Sequence, residues 1–180
     1  MKYRWWIGIT ALLYAGGLLL GLVTPASVAS FPAQDVENLK KLADFLSPLP
    51  RPAVFVFILV KNMTVVLISF AFSPIFCLAP IVTLILNGWL LGFVATSVIQ
   101  ERSIGYLLVG IVPHGIFEIP ALIIGEAVAL NFGISIMLAI FKKGAWPPDL
   151  KRNLKYLVIS LILFLPAAFI ETYITPLFLR

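Results

Sequence analysis

The run SIGYLLVGIVPHGIFEIPALIIGEAVALNFGISIMLAIF, residues 103–141, contains no Lys, Arg or Asp, and only His114, Glu118 and Glu126 interrupt its apolar character with charge-bearing groups. A helix of this length extends roughly 58 Å at 1.5 Å per residue, whereas one membrane crossing needs about 20 residues. The run therefore predicts a fourth membrane segment that is broken, re-entrant or partly interfacial.

The rest of the chain has the composition of an integral membrane protein. Of its 180 residues, 61% are hydrophobic and 12% are charged, whereas soluble domains carry about 25% charged residues. We therefore interpret residues 1–180 as a single transmembrane domain in a lipid bilayer. The net charge of +5 does not indicate nucleic-acid binding, because basic residues in membrane proteins mainly set orientation.

Four further apolar runs are long enough to cross a membrane. The predicted spans are Trp5–Val23, 53–73, 76–99 and 154–175, with a tight turn at Ser73 and Pro74 between the second and third. The first run could be a signal peptide, but it is longer than the usual 7–15 apolar residues, which favours a retained anchor. The predicted fold is an all-α polytopic helix bundle with about five net crossings.

Basic residues predict the orientation in the cell membrane. Segment 142–155 carries five Lys or Arg against one Asp, the N-terminus carries Lys2 and Arg4, and loop 24–52 is balanced. The positive-inside rule places the N-terminus and 142–155 in the cytoplasm. Loop 24–52 and the C-terminus are then outside, and residues 103–141 cross once net.

Within loop 24–52, residues 34–46 have the pattern of an amphipathic helix. Val36, Leu39, Ala43 and Leu46 share one helical face, and the charges lie elsewhere. Such a helix can lie in the membrane interface. It is either a simple connection or a surface that binds a partner protein.

Ionisable side chains inside the spans are the candidate functional residues. Each costs on the order of 3 kcal/mol at the bilayer centre. His114 and Glu118 are four residues apart and share a helical face. Lys61 lies near mid-span, where it either reaches a surface or pairs with Glu118 or Glu126. Glu171 lies near the end of the last span and is interpreted as interfacial.

Pro113 and Pro120 flank this group, and each frees a backbone carbonyl one turn earlier. Lipid tolerates such carbonyls only beside protein or a water-filled cavity, so we expect a polar pocket around Pro113, His114, Gly115, Glu118, Pro120 and Glu126. Lys61, Asn62, Asn87 and Gly88 are possible neighbours. The pocket is structural, or a binding or conduction site, or a metal site.

The metal interpretation rests on His114, Glu118 and Glu126 as three ligands, with zinc as the candidate ion. It is the weakest of the three, because zinc hydrolases usually supply more histidine and His114 is the only histidine in the protein. No cofactor is expected. We find no arrangement typical of a nucleophilic or phosphate-binding enzyme, so the sequence predicts a non-enzymatic protein.

Glycines also follow a helix-packing pattern. Gly17 and Gly21 form a GxxxG motif in the first span, as do Gly88 and Gly92 in the third. This spacing allows close approach of helix backbones. The partner helix lies within the same chain or in a homo-oligomer, and the first is favoured.

The motifs NGWLLGF (87–93) and PHGIFEIPALIIGEA (113–127) together resemble the stage II sporulation protein M family, over residues 53–141. His114, Gly115, Glu118 and Pro120 match the family motif, and Asn62, Asn87 and Gly88 fit its order. The resemblance implies a small polytopic membrane protein without established catalytic activity. In spore-forming bacteria it implies a component of a peptidoglycan-degrading complex that holds extracytoplasmic partners.

Two functions follow as expectations. The favoured one is a scaffold that docks other membrane or extracytoplasmic proteins at the cell membrane. The alternative is a small transporter or permease subunit with a polar intramembrane pocket around His114, Glu118 and Glu126. An intramembrane metalloenzyme is a third and weaker alternative.

Overall fold

The computed structural model describes residues 3–25, 41, 48–142 and 150–178. Its long helices are α1 (Tyr3–Val23), α2 (Arg51–Phe72), α3 (Leu78–Glu101), α4 (Ile104–Lys142) and α5 (Leu150–Phe169). A π-helix (Ile170–Ile174) and a short α6 (Thr175–Phe178) continue the last helix. The described part of the chain thus has five helices long and apolar enough to cross a membrane and no strands, which confirms the all-α polytopic fold.

The fourth segment is neither broken nor re-entrant, because α4 is one continuous helix of 39 residues. Pro113 and Pro120 lie inside it without ending it. Each proline removes only its own N–H donor, and neighbouring groups in a membrane bundle can accommodate the freed carbonyl. At roughly 58 Å, α4 is longer than the hydrocarbon core of about 30 Å. The expected break is therefore absent.

The centre of the bundle is the second half of α4. All six residues from Gly125 to Leu130 are buried, whereas most side chains between Ile104 and Ile116 are exposed or half-buried. Val66 of α2, Leu84 of α3 and Phe164 of α5 belong to the same apolar core. The first half of α4 is thus less covered by the other helices than the second half.

Helices α1 and α3 meet through their glycines. A Cβ atom added to Gly17 would collide with the Ile85 carbonyl, and one added to Gly88 would collide with the Tyr14 carbonyl. Gly21 and Gly92 lie in the same way against the backbones of Trp89 and Leu18. Both GxxxG motifs therefore serve one close contact within the chain, as the sequence favoured.

A polar cluster joins the beginning of α1 to the beginning of α5. The Tyr3 hydroxyl donates to Asn153 Oδ1 at 3.5 Å, and the Asn131 amide donates to the same oxygen at 2.8 Å. The N-terminal ends of α1 and α5 therefore lie at the same end of the bundle. This agrees with the predicted common side for both, and which side is cytoplasmic stays a prediction.

The turn between α2 and α3 contains two left-handed residues. Phe76 has φ 52° and Cys77 has φ 54°. The Cys77 N–H donates to the Ser73 carbonyl at 3.0 Å, which closes the tight turn predicted at Ser73 and Pro74. The amphipathic segment 34–46 lies outside the described residues except for Lys41, so its interfacial position stays a prediction.

Candidate functional site

Two parts of the chain bring three residues of metal-binding types together. His114 and Glu118 lie one turn apart on α4, and Glu171 comes from the π-helix that follows α5. One ligand atom from each residue can be chosen so that all three lie within 4.8 Å of one another. The structure therefore unites a sequence-predicted pair with a residue that the sequence placed elsewhere.

The predicted contact between His114 and Glu118 is confirmed. The distance from His114 Nε2 to Glu118 Oε2 is 3.9 Å, and their side chains are 16% and 33% exposed. The other ring nitrogen, His114 Nδ1, is buried without a hydrogen-bond partner. The pair is thus half-buried, and only the Nε2 atom of the imidazole has a polar partner among the described residues.

The π-helix explains the position of Glu171. The Thr175 N–H donates to the Ile170 carbonyl, five residues earlier, and this wider turn shifts the register of the residues within it. Pro166 lies just upstream inside α5 and removes a backbone donor there. π-helical turns often occur at functional sites. Glu171 therefore lines a cavity inside the bundle, and its interfacial depth in the membrane stays a prediction.

These residues line a cavity of about 280 Å³, which we call the His114 cavity. Its polar lining consists of Tyr14, Lys61, Asn87, His114, Glu118 and Glu171. Its apolar lining includes Leu90, Leu91, Val94, Ile111, Ile119 and Leu122. Lys61 and His114 each lie ten residues into their helices, about 15 Å along the axis. The cavity therefore lies between helices that are long and apolar enough to cross a membrane.

Lys61 supplies the positive group of the cavity. It acts electrostatically on both Glu118 and Glu171, and its side chain is exposed. No carboxylate of the described residues lies within 4.0 Å of it. The predicted partner Glu126 is not involved, so Lys61 faces two carboxyl groups without a direct ion pair.

Asn62 and Asn87 lie beside the same group. A smaller void of about 50 Å³ is lined by Lys61, Asn62, Asn87 and Glu118, together with Val65, Leu122 and Phe164. The Asn87 amide nitrogen donates to the Thr83 carbonyl at 2.8 Å, which leaves its side-chain oxygen available. A polar void of this size can hold ordered water.

Glu126 does not belong to the cavity, contrary to the sequence-based grouping. Its side chain is fully buried in α4 and accepts a hydrogen bond from the Ser69 hydroxyl of α2. Its Oε1 has no hydrogen-bond partner. The eight residues between Glu118 and Glu126 rotate the second carboxyl group by about 80° at 100° per residue, which turns it toward α2. Glu126 therefore joins two helices.

Only some of the remaining predicted positions line the cavity. Gly115 lines the His114 cavity, and an added Cβ there would make only ordinary contacts, at 3.6 Å to Ile111 and 3.7 Å to Ile119. Pro113 is half-buried and Pro120 is exposed. Gly88 contacts α1 instead of the cavity, so its role is helix packing.

Sequence reasoning missed Glu171 and Tyr14. Tyr14 lies on α1, lines the cavity and interacts electrostatically with Glu118. A signal for Glu171 existed, because it is the only acidic residue between 150 and 178 and it follows Pro166 closely. No local pattern marks Tyr14, since only the glycine contact between α1 and α3 brings it near.

The geometry can hold a cation or a small polar molecule. One imidazole and two carboxyl groups converge from two sides, with an amide and a phenol in the same wall. Imidazole and carboxylate are the usual ligands of zinc and other divalent transition metals. The side chains that line the cavity are therefore chemically suited to a cation or a small polar ligand.

Comparisons with known proteins agree with the membrane fold. The family model of stage II sporulation protein M matches residues 10–176, well beyond the stretch 53–141. An uncharacterised protein of Methanocaldococcus jannaschii is 30% identical over 172 residues, which cover 93% of this chain and 92% of that protein. A second uncharacterised protein of that organism is 36% identical over 120 residues, which cover 64% and 52%. No solved structure matches this chain. The chain belongs to the stage II sporulation protein M family.

Proposed function

We propose that this protein is a non-enzymatic membrane subunit that binds a small cationic solute in the His114 cavity, as part of a transport pathway. The observation that carries the proposal is the cavity lining. Two carboxyl groups and one amino group line a cavity between membrane-spanning helices. Transporters place charged side chains and their substrates at sites of this kind between helices.

A purely structural role fits these residues less well. Polar groups that stabilise a membrane bundle do so by joining helices, as Ser69 and Glu126 do. His114 and Glu118 contact each other within one helix. Among the described residues, no hydrogen bond joins either side chain to a second helix. Ionisable groups inside a membrane are costly, so ligand binding explains this pair better than helix packing does.

The test uses charged thiol reagents on a cysteine placed in the cavity wall. Val94 lines the cavity, and Val94→Cys in liposomes should react faster with a cationic methanethiosulfonate than with an anionic one. The preference should fall when Glu118→Gln or Glu171→Gln is added, because each removes an acidic group. A matched control is Ile116→Cys on the outer face of α4, 61% exposed, where lipid should keep the thiol unreactive.

An unreactive Val94→Cys would overturn the proposal, because a dry cavity cannot admit a cation from water. A faster reaction with the anionic reagent would overturn it as well. The native thiol does not interfere, because Cys77 is buried and wild-type protein supplies the background rate.

The scaffold function is the second candidate, and it is the role that the sequence resemblance implies. It assigns the activity to surfaces that hold partner proteins, such as the segment 34–46. The test expresses each variant in a strain that lacks the gene and asks whether it restores the wild-type phenotype. If the scaffold function holds, a variant with both Leu39 and Leu46 replaced by Gln should fail to restore it. If the cavity is the functional site, Glu118→Gln should fail instead.

A further inference from the structure

We propose that His114, Glu118 and Glu171 bind one divalent transition-metal ion, and that Lys61 competes with this ion for the two carboxyl groups. This inference rests on the proposed function, since it names the class of cation that the His114 cavity takes. The three side chains come from two separate parts of the chain and converge on one point. The site exists only in the folded bundle.

The distances are close to those of a coordination sphere. Zinc binds imidazole nitrogen and carboxylate oxygen at about 2.0–2.2 Å, so ligand atoms around one ion are roughly 3.5 Å apart in tetrahedral geometry. The three atoms lie within 4.8 Å of one another, and His114 Nε2 is 3.9 Å from Glu118 Oε2. Small rotations of the two Glu side chains would bring all three ligands to one ion.

The ligand types select the metal class. An imidazole together with carboxylates suits zinc, iron, cobalt or manganese, whereas magnesium and calcium prefer oxygen ligands alone. Asn87 lines the same cavity, and its side-chain oxygen is available because its nitrogen donates to Thr83. Asn87 or water would complete the coordination.

Lys61 is the positively charged side chain that lines the same cavity as Glu118 and Glu171. An arriving divalent ion would be repelled by the Lys61 ammonium and attracted by the same two carboxylates. Removing this charge with Lys61→Met should therefore tighten metal binding by about tenfold or more.

The imidazole geometry predicts reversible binding. Metal-bound histidine usually donates its second ring N–H to an acceptor, and losing that partner costs about 10–100-fold in affinity. His114 Nδ1 has no hydrogen-bond partner, so no described residue fixes the orientation of the imidazole through this nitrogen. Weakened binding of this kind suits a site that must also release its ion.

The experiment measures Zn²⁺ and Mg²⁺ binding to the purified full chain in detergent by isothermal titration calorimetry, without a polyhistidine tag. We expect one Zn²⁺ per chain, no saturable Mg²⁺ binding, and an affinity at least tenfold lower in Glu171→Gln and His114→Ala. Lys61→Met should bind more tightly. Cobalt substitution should give visible d–d absorption that Glu171→Gln changes.

Glu126→Gln is the matched control, because it makes the same chemical change on a buried carboxyl group of α4 outside the cavity. Its Zn²⁺ affinity should equal that of wild type. Glu171→Asp keeps the carboxylate and should restore part of the affinity, which separates ligand loss from misfolding.

Two outcomes would overturn the inference. One is the absence of Zn²⁺ binding to wild-type protein, and the other is Zn²⁺ binding that Glu171→Gln, His114→Ala and Lys61→Met all leave unchanged. If either occurs while Val94→Cys still prefers the cationic reagent, the metal assignment fails and the cation cavity stands. An unreactive Val94→Cys would remove the proposed function instead.

Discussion

The Ser69 hydroxyl of α2 donates a hydrogen bond to the Glu126 carboxyl group of α4 in the buried centre of the bundle. Both side chains are almost fully removed from the surface, with Ser69 1% and Glu126 0% exposed. The contact ties the second helix to the fourth at the level of the core residue Val66. Glu126 therefore has a structural role, unlike Glu118 and Glu171, which line the cavity.

This contact predicts that Ser69→Ala destabilises the protein. The substitution leaves a buried carboxyl group without its donor, which costs about 1–3 kcal/mol. Denaturant or thermal unfolding in detergent measures the change. Ser97→Ala is the control, because the Ser97 hydroxyl donates only to the Phe93 carbonyl of its own helix. Equal stability of the two variants would contradict a structural role for the Ser69 contact.

The packing of α1 on α3 predicts opposite effects at two neighbouring glycines. A Cβ at Gly17 collides with the Ile85 carbonyl, whereas a Cβ at Gly16 meets nothing within 4 Å. Gly17→Ala should lower the free energy of unfolding by about 1–3 kcal/mol, as overpacking does. Gly16→Ala should be neutral or slightly stabilising, since Ala favours helix. A comparison of melting temperatures in detergent checks both, and a tolerated Gly17→Ala would exclude the close contact.

The left-handed turn before α3 predicts a stabilising substitution. Phe76 has φ 52° and is 66% exposed, so its side chain gains little from packing while its backbone is strained. Gly accepts this conformation freely, and relief of about 1–2 kcal/mol is expected. Phe76→Gly should melt at a higher temperature than wild type. Ile75→Gly is the control, because Ile75 has ordinary negative φ and should gain nothing.

The orientation given by the positive-inside rule predicts the outcome of cysteine labelling. Ala145→Cys in the segment 142–155 should react with a membrane-impermeant maleimide only after cell lysis, whereas Ala33→Cys in loop 24–52 should react on intact cells. Burial raises the pKa of the native Cys77 thiol above its ordinary value. Less of it is thiolate near neutral pH, and its background labelling should stay low. Labelling of Ala145→Cys on intact cells would contradict the predicted orientation.

The membrane character and the number of helices follow from the sequence alone. Each span is a continuous apolar run, and lipid requires its backbone groups to be bonded within the segment. The predicted spans therefore agree with α1 to α5 within a few residues. The glycine pairs at 17 and 21 and at 88 and 92 likewise predicted a close contact, because spacing by four places both on one helical face.

The membership of the site could be predicted only in part. His114 and Glu118 are paired by helical periodicity, which is a local property. Glu126 was grouped with them because it is near in sequence, but its rotation around α4 turns it to Ser69. Glu171 was set apart because it is distant in sequence and near a helix end, yet a π-turn brings it into the cavity.

The sequence by itself thus determined where the protein resides, how many helices it has and which pair of ionisable residues shares a turn. Apolar length and helical spacing act within a single segment and need no knowledge of the neighbours. The tertiary structure decided that Pro113 and Pro120 continue α4, that Glu126 binds Ser69, and that Glu171 and Lys61 face the His114 pair. These features depend on how each helix is rotated against the others, and that rotation is fixed by packing between distant parts of the chain.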